Sequence, residues 1–240
     1  MIRIGRCVIV FLGMTISTVQ AQDFDRFSFN IAGGKSLSVR QLATQVFGET
    51  RGELAGDGIG AQAILAFYPT RRLGIAVRGS YNQNKTRQEG IILIAQNQYN
   101  VVNPVVESAN HWNVMSAMIG PTLRLGGNGL GLEGRLLVGY AMVNSPAFVT
   151  TGRFQTFDIR IQTQSQKASD LAYGAGATLN VGIAGGIALV VNADASLIST
   201  TFKNVNNQVT TTGFPALNQL VDIKQNVGVV NVTGGLRFSF

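Results

Sequence analysis

Eight stretches of this chain alternate apolar and polar residues with a period of two. No stretch beyond the N-terminus approaches the ~18 consecutive apolar residues of a membrane-spanning helix. The eight are residues 26–35, 57–69, 72–82, 111–125, 130–142, 169–183, 187–199 and 226–240. Their connections alternate in length. Pro69–Arg72, Gly126–Gly129 and Ala184–Gly186 are short, whereas 36–56, 83–110, 143–168 and 200–225 are long. An even number of strands with short turns on one side and long loops on the other is the pattern of a transmembrane barrel. The expectation is therefore an all-β protein, an eight-stranded antiparallel up-and-down transmembrane β-barrel.

The two faces of the alternation test this reading. One carries Phe27, Phe29, Ile31, Leu65, Phe67, Leu73, Ile75, Val77, Ile119, Leu123, Leu132, Leu136, Val138, Leu179, Val181, Leu189, Val191, Val232 and Leu236. It is read as the outward face, because Arg or Lys facing lipid at the bilayer midplane costs about 2–4 kcal/mol. The other face carries Ser28, Asn30, Gln62, Arg78, Thr122, Arg124, Glu133, Arg135, Thr178, Asn180, Asn192, Asp194, Asn231, Thr233 and Arg237. Charged residues make up only 13% of the chain. A chain that excludes charge from one face of every strand has that composition. A soluble β-sandwich is the structural rival, since it buries its apolar face and wets its polar one.

Met1–Arg6 contains two arginines, Cys7–Ile16 is a short apolar run, and Val19 and Ala21 stand at −3 and −1 of a cut before Gln22. This is the order of a secretory signal, so residues 1–21 are expected to be cleaved and 22–240 to form the barrel. Cleavage removes Cys7 and, with Arg3 and Arg6, lowers the formal net charge from +7 to +5. The mature chain then has no thiol chemistry. Its scattered cations on an exported protein argue against nucleic acid as a partner.

Gly235–Phe240 alternates and stops on Phe240, with Phe238 two residues before it. Together with Ala66–Gly74 and Ile119–Leu125, this terminus resembles the small outer-membrane barrels, the OmpA/OmpX-like group and the porin-family outer-membrane β-barrel proteins. The resemblance spans the mature chain. It implies residence in the outer membrane of a Gram-negative bacterium, contact with lipid and lipopolysaccharide, and both termini in the periplasm. It also implies recognition by the barrel-assembly machinery through Phe238 and Phe240. The larger relatives carry a peptidoglycan-binding domain that is not expected here.

Aromatic residues near strand ends, namely Tyr68, Tyr81, Trp112, Tyr140 and Tyr173 with Phe238 and Phe240, are read as interfacial girdles. Pro121 is expected to force a bulge or an early strand end. Inside, an eight-stranded ring is narrow enough for side chains to fill. Glu133, Arg124, Arg135 and Arg237 are expected to form a lower set of ion pairs, with Arg78 and Asp194 facing each other higher up. Small inward neighbours, among them Gly60, Gly74, Ala172, Gly174, Gly176 and Ala188, leave room for long side chains or water.

The enzymatic barrels of this kind, such as lipid A deacylases, palmitoyltransferases and omptin proteases, rely on a histidine near the outer rim. His111 stands there, but Asn113 occupies the place of the deacylase serine. The chain is read as non-enzymatic, with no cofactor and no metal, for lack of a ligand cluster or calcium-loop motif. Phe157–Thr163 and, weakly, Asn204–Thr212 continue the alternation into the loops, so a sheet protruding beyond the membrane is expected, its edge open to a partner strand. Ala216–Val221 reads as a short helix or turn. The function expected is a structural or surface-interaction role for a monomer, with the loops as contact surface. The alternative is a narrow or gated channel for ions and small solutes.

Overall fold

The computed structural model describes residues 25–39, 45–46, 49–50, 54–126 and 129–240. The proposed signal, residues 1–21, lies outside the described residues. Thirteen strands and one helix are described: β1 (Phe27–Ser38), β2 (Gln45–Val46), β3 (Glu49–Thr50), β4 (Ala55–Phe67), β5 (Leu73–Thr86), α1 (Gln88–Tyr99), β6 (Val102–Ala109), β7 (Trp112–Gly126), β8 (Leu130–Asn144), β9 (Phe148–Phe154), β10 (Phe157–Thr163), β11 (Lys167–Ala184), β12 (Ile187–Thr211) and β13 (Leu217–Ser239).

Among them, β1, β4, β5, β7, β8, β11, β12 and β13 pair antiparallel, each with the next, and β13 returns to β1. Closure pairs both edges of each ring strand across the membrane-spanning part, which is what allows strands to cross lipid. The seam is finished by the terminal residue. Phe27 N–H donates to the Phe240 carbonyl at 2.9 Å, Phe240 N–H donates to the Phe27 carbonyl at 3.0 Å, and the two rings stack 6.1 Å apart.

Exposure alternates along the ring strands as the period-two reading requires. Ile31, Leu65, Ile75, Ile119, Leu136, Tyr140, Leu179, Leu189 and Leu236 are exposed, while Asn30, Gln62, Arg78, Thr122, Arg135, Thr178, Asn192 and Arg237 are buried. The outward exclusion of charge ends toward the loop side. Lys35 on β1 and Asp57 on β4 share the outward face at diagonal register positions, and Lys85 joins them on β5. The tight turns rest on glycines with left-handed backbone, Gly126 (φ 98°) at the end of β7 and Gly185 and Gly186 (φ 47° and 82°) between β11 and β12.

Three local expectations are corrected. Pro121 neither bulges nor ends its strand. The β7–β8 register is the same on both sides of it (Ile119 opposite Val138, Thr122 opposite Arg135), and β7 runs on to Gly126. The nitrogen lacking a hydrogen costs one rung, not the register. Residues 217–221 are strand, not helix, and pair with Val205–Val209 of β12. The 83–110 connection holds α1 and β6, which the alternation did not reveal. Ile91, Ile94 and Ala95 give α1 its inward stripe, and Asn100 in left-handed conformation (φ 50°) ends it.

On the long-loop side, β12 and β13 extend to 25 and 23 residues. The free flank of β12 continues the sheet through β10 and β9 to β6, and α1 packs against β6 and β9. Ala95, Val101, Ile159 and Ile161 form a small core there, separate from that of the barrel.

Candidate functional site

The lumen is crossed by one network of charged and amide side chains. Its centre is Asp194 on β12, about 1% exposed. Arg135 on β8 holds it in a forked pair, donating from Nε to Oδ1 at 2.9 Å and from Nη2 to both carboxylate oxygens at 2.7 Å. Gln62 on β4 donates to Oδ2 at 2.8 Å. Arg78 on β5 places Nη1 3.0 Å from Oδ1, off the angle of a hydrogen bond, and donates from Nη2 to Ser196 Oγ at 2.6 Å. One carboxylate therefore balances two guanidinium groups, and four strands of the ring meet at it. A buried carboxylate is tolerated only with such pairing.

A glycine makes the fork possible. Gly176 on β11 lies in register between Arg135 of β8 and Asp194 of β12. A Cβ there would stand 1.9 Å from Asp194 Oδ1 and 2.9 Å from Arg135 Nε. The Arg135 fork continues through Nη1 to Thr178 Oγ1 at 2.6 Å, and Thr178 donates in turn to Asn192 Oδ1 at 2.6 Å. Asn30 also donates to Asn192 Oδ1, at 2.9 Å, which ties β1 into the same chain of bonds.

Nearer the short turns sits a second group. Glu133 accepts from Arg124 Nε at 2.9 Å and from Arg237 Nη1, and Arg237 also donates to Asn180 at 2.9 Å. The Arg124 guanidinium lies 3.6 Å over the ring of Tyr68. A solvent recess at this end of the barrel reaches Arg124, Asn180 and Arg237. Arg135, assigned from sequence to this lower set, instead joins Asp194 and Arg78. Strand tilt sets which inward residues share a level, and alternation alone does not report tilt.

Toward the long-loop end, many inward positions of β7, β8 and β11–β13 are apolar, interrupted by Ser116 and Thr200. Val114, Met118, Ala141, Val143, Ile198, Phe202 and Val229 form one buried cluster with Trp112. Trp112 is thus not an interfacial residue. It is buried and meets Phe202 edge-on at 6.2 Å. Tyr68 is buried as well, beneath Arg124. A signal for both was present in the chain. Trp112 shares the parity of Val114 and Met118, and Tyr68 that of Ile64 and Ala66, all inward. Tyr81, Tyr140, Tyr173, Phe238 and Phe240 have the outward parity and are exposed.

His111 is exposed, immediately before β7. Among the described residues no group of three or more His, Cys, Asp or Glu side chains could hold a metal.

No protein-family model matches the chain, and no curated protein matches its sequence. Solved structures do match in shape. Outer membrane protein OprG from Pseudomonas aeruginosa shares 12% identity, covering 90% of this chain and 97% of that one, with a TM-score of 0.48. Neisserial surface protein A shares 8%, covering 89% and 97%, with a TM-score of 0.47. Ail, the attachment invasion locus protein of Yersinia pestis, shares 18%, covering 89% and 99%, with a TM-score of 0.42. Likeness this distant says nothing about activity, and the barrel rests on its own closed ladder.

Proposed function

We propose that this chain is an outer-membrane barrel with its lumen shut, whose work is done outside the membrane by the sheet and loops beyond its rim. The observation that carries this is Asp194. It is buried and held from β4, β5 and β8 by Gln62, Arg78 and Arg135, so the lumen is bridged by bonded side chains. The two longest strands and the extra β6–β9–β10 sheet lie on the opposite side from the short turns, which supports a surface-interaction role. In this reading the termini face the periplasm, Phe238 and Phe240 serve assembly, the barrel is monomeric, and lipid and lipopolysaccharide surround it.

A second reading, a narrow gated channel, is favoured by the recess that reaches Arg124 and Arg237 from the turn side. Single-channel recording in planar bilayers separates the two. A folded, heat-modifiable barrel should be silent. Steady conductance that changes in Glu133→Ala or Asp194→Asn would replace the surface role with the channel.

A further inference from the structure

The two ionic levels of the lumen hold more positive than negative charge. Around Asp194 and Glu133, two carboxylates meet four guanidinium groups, those of Arg78, Arg135, Arg124 and Arg237. Excess charge in a narrow, largely dry space is costly unless water or a counter-ion answers it. At the upper level Arg78, Arg135 and Asp194 are all buried. At the Glu133 level the lumen opens. A vestibule of about 650 Å³ enters there from the turn side.

Its lining points to an anion. Arg71, Arg124 and Arg237 face it, and Asp25 is the sole acidic residue among the described residues that do, three cations against one anion for a net +2. Arg124 and Arg237 converge, both donating to Oε1 of Glu133. Two donors remain idle. Arg237 uses Nε on Ser239 and Nη1 on Glu133 and Asn180, so its Nη2 has no partner among the described residues. Asn180 accepts through its oxygen, which leaves its amide nitrogen without a partner among them as well. Neither nitrogen is among the polar atoms closed to water, whereas Arg124 Nη2 is. Gly131 leaves room beside the amide, since a Cβ there would stand 2.9 Å from Asn180 Nδ2. At the mouth, Arg71 is exposed in the turn between β4 and β5. Arg124 and Arg237 are on inward strand positions, away from lipid, so a ligand would arrive from solution.

We propose that this vestibule binds a soluble phosphate group, its oxygens receiving hydrogens from Arg237 Nη2 and the Asn180 amide, with Arg71 supplying charge at the mouth. A guanidinium fork suits phosphate oxygens. A dianion cancels the charge of the lining, and a monoanion cancels half of it. The site is filled from one side, so it stands whether or not the lumen conducts.

The refolded protein, in micelles of an uncharged maltoside detergent, is titrated calorimetrically with inorganic phosphate at low salt and about pH 8, where a phosphate carries close to two charges. Saturable binding is expected. Glycerol phosphate is titrated alongside, and the tighter of the two shows whether the group arrives free or on a larger molecule. Acetate should bind about fivefold more weakly. Arg71→Gln should weaken phosphate about fivefold, the worth of an exposed ion pair. Asn180→Leu should weaken it about tenfold, that of a hydrogen bond to a charged group. Arg72→Gln is the control. It removes the same charge from the same turn, but Arg72 does not line the vestibule, so binding should be unchanged. Absence of saturable binding to the folded, heat-modifiable barrel would overturn the proposal. So would equal weakening by Arg71→Gln and Arg72→Gln, which would mean diffuse attraction to a basic rim, or acetate binding as tightly as phosphate. Should Asn180→Leu fail to fold, the two turn variants still decide the matter.

Discussion

The ionic layer around Asp194 and the apolar recess around Trp112 are both buried, and they are organised in opposite ways. In the ionic layer, polar groups are dense and bonded mainly to one another, while Arg78 Nε and Nη1, Gln62 Oε1 and Asn30 Oδ1 have no hydrogen-bond partner among the described residues. Asp194 accepts from two residues and contacts a third, and Thr178 both accepts and donates. In the recess, bounded by Ile91 and Ile94 of α1 with Trp112, Phe148 and Phe202, the walls are mostly hydrocarbon. Of its polar residues Thr163 donates to Asn207 at 2.8 Å, whereas Trp112 Nε1 and Thr150 Oγ1 have no partner among the described residues. A dense network of charge pairs fixes strands relative to one another. An apolar space does not. The difference assigns closure to the ionic end of the interior.

The largest effect should come from breaking the ionic end. Asp194→Ala leaves Arg78 and Arg135 facing each other, buried and without their shared anion. Loss of one partner of a buried pair costs about 3–5 kcal/mol. Urea unfolding in lipid vesicles should show an unfolding free energy lowered by that much. A shift near zero would mean that water, not Asp194, carries the two guanidinium groups. At the apolar end, Phe202→Ala removes a buried ring that meets Trp112. The cost should be about 3 kcal/mol, the low end for such truncations, because the ring already borders a void. Trp112 emission should move to longer wavelength as water enters. Next in size is Gly176→Ala. Its methyl group would overlap Asp194 Oδ1 and should cost about 1–3 kcal/mol as an overpacked site. In Asp194→Ala that penalty should vanish, a coupling that a double-mutant cycle measures.

Much of the barrel was legible because lipid enforces a binary choice at every second residue. Leu136 and Arg135 cannot exchange faces without exposing a cation to hydrocarbon, so parity alone placed them. Parity also held the correct position of Trp112, but proximity to a strand end drew it to the interface. The partner of Arg135 was not legible. It depends on strands β8 and β12 being brought to one level across Gly176, which is set by tilt and shear in the closed ring. The recess was hidden for a different reason. α1 is a 12-residue helix without a side-chain N-cap and with Gly90 inside it, and its run of isoleucines reads equally well as strand. Only the packing of that helix on β6 and β9 makes a cavity of it.

The finest contrast uses one chemical change in both regions. Thr178 and Thr150 are both almost fully buried, at about 1% and 2% exposed, and valine has nearly the shape of threonine. In Thr178→Val, Arg135 Nη1 and Asn192 Oδ1 each lose the hydroxyl between them. Leaving buried polar groups unsatisfied costs about 1–3 kcal/mol. In Thr150→Val no protein partner is abandoned, because that hydroxyl has none among the described residues. Desolvating it in the folded state brought no protein bond in return, so its removal should leave stability unchanged or raise it by up to about 1 kcal/mol. Paired urea titrations of the two variants measure the difference. Equal losses would mean that Thr150 is bonded after all. Unequal losses, in the direction argued, would show that the two interiors differ in bonding and not merely in composition.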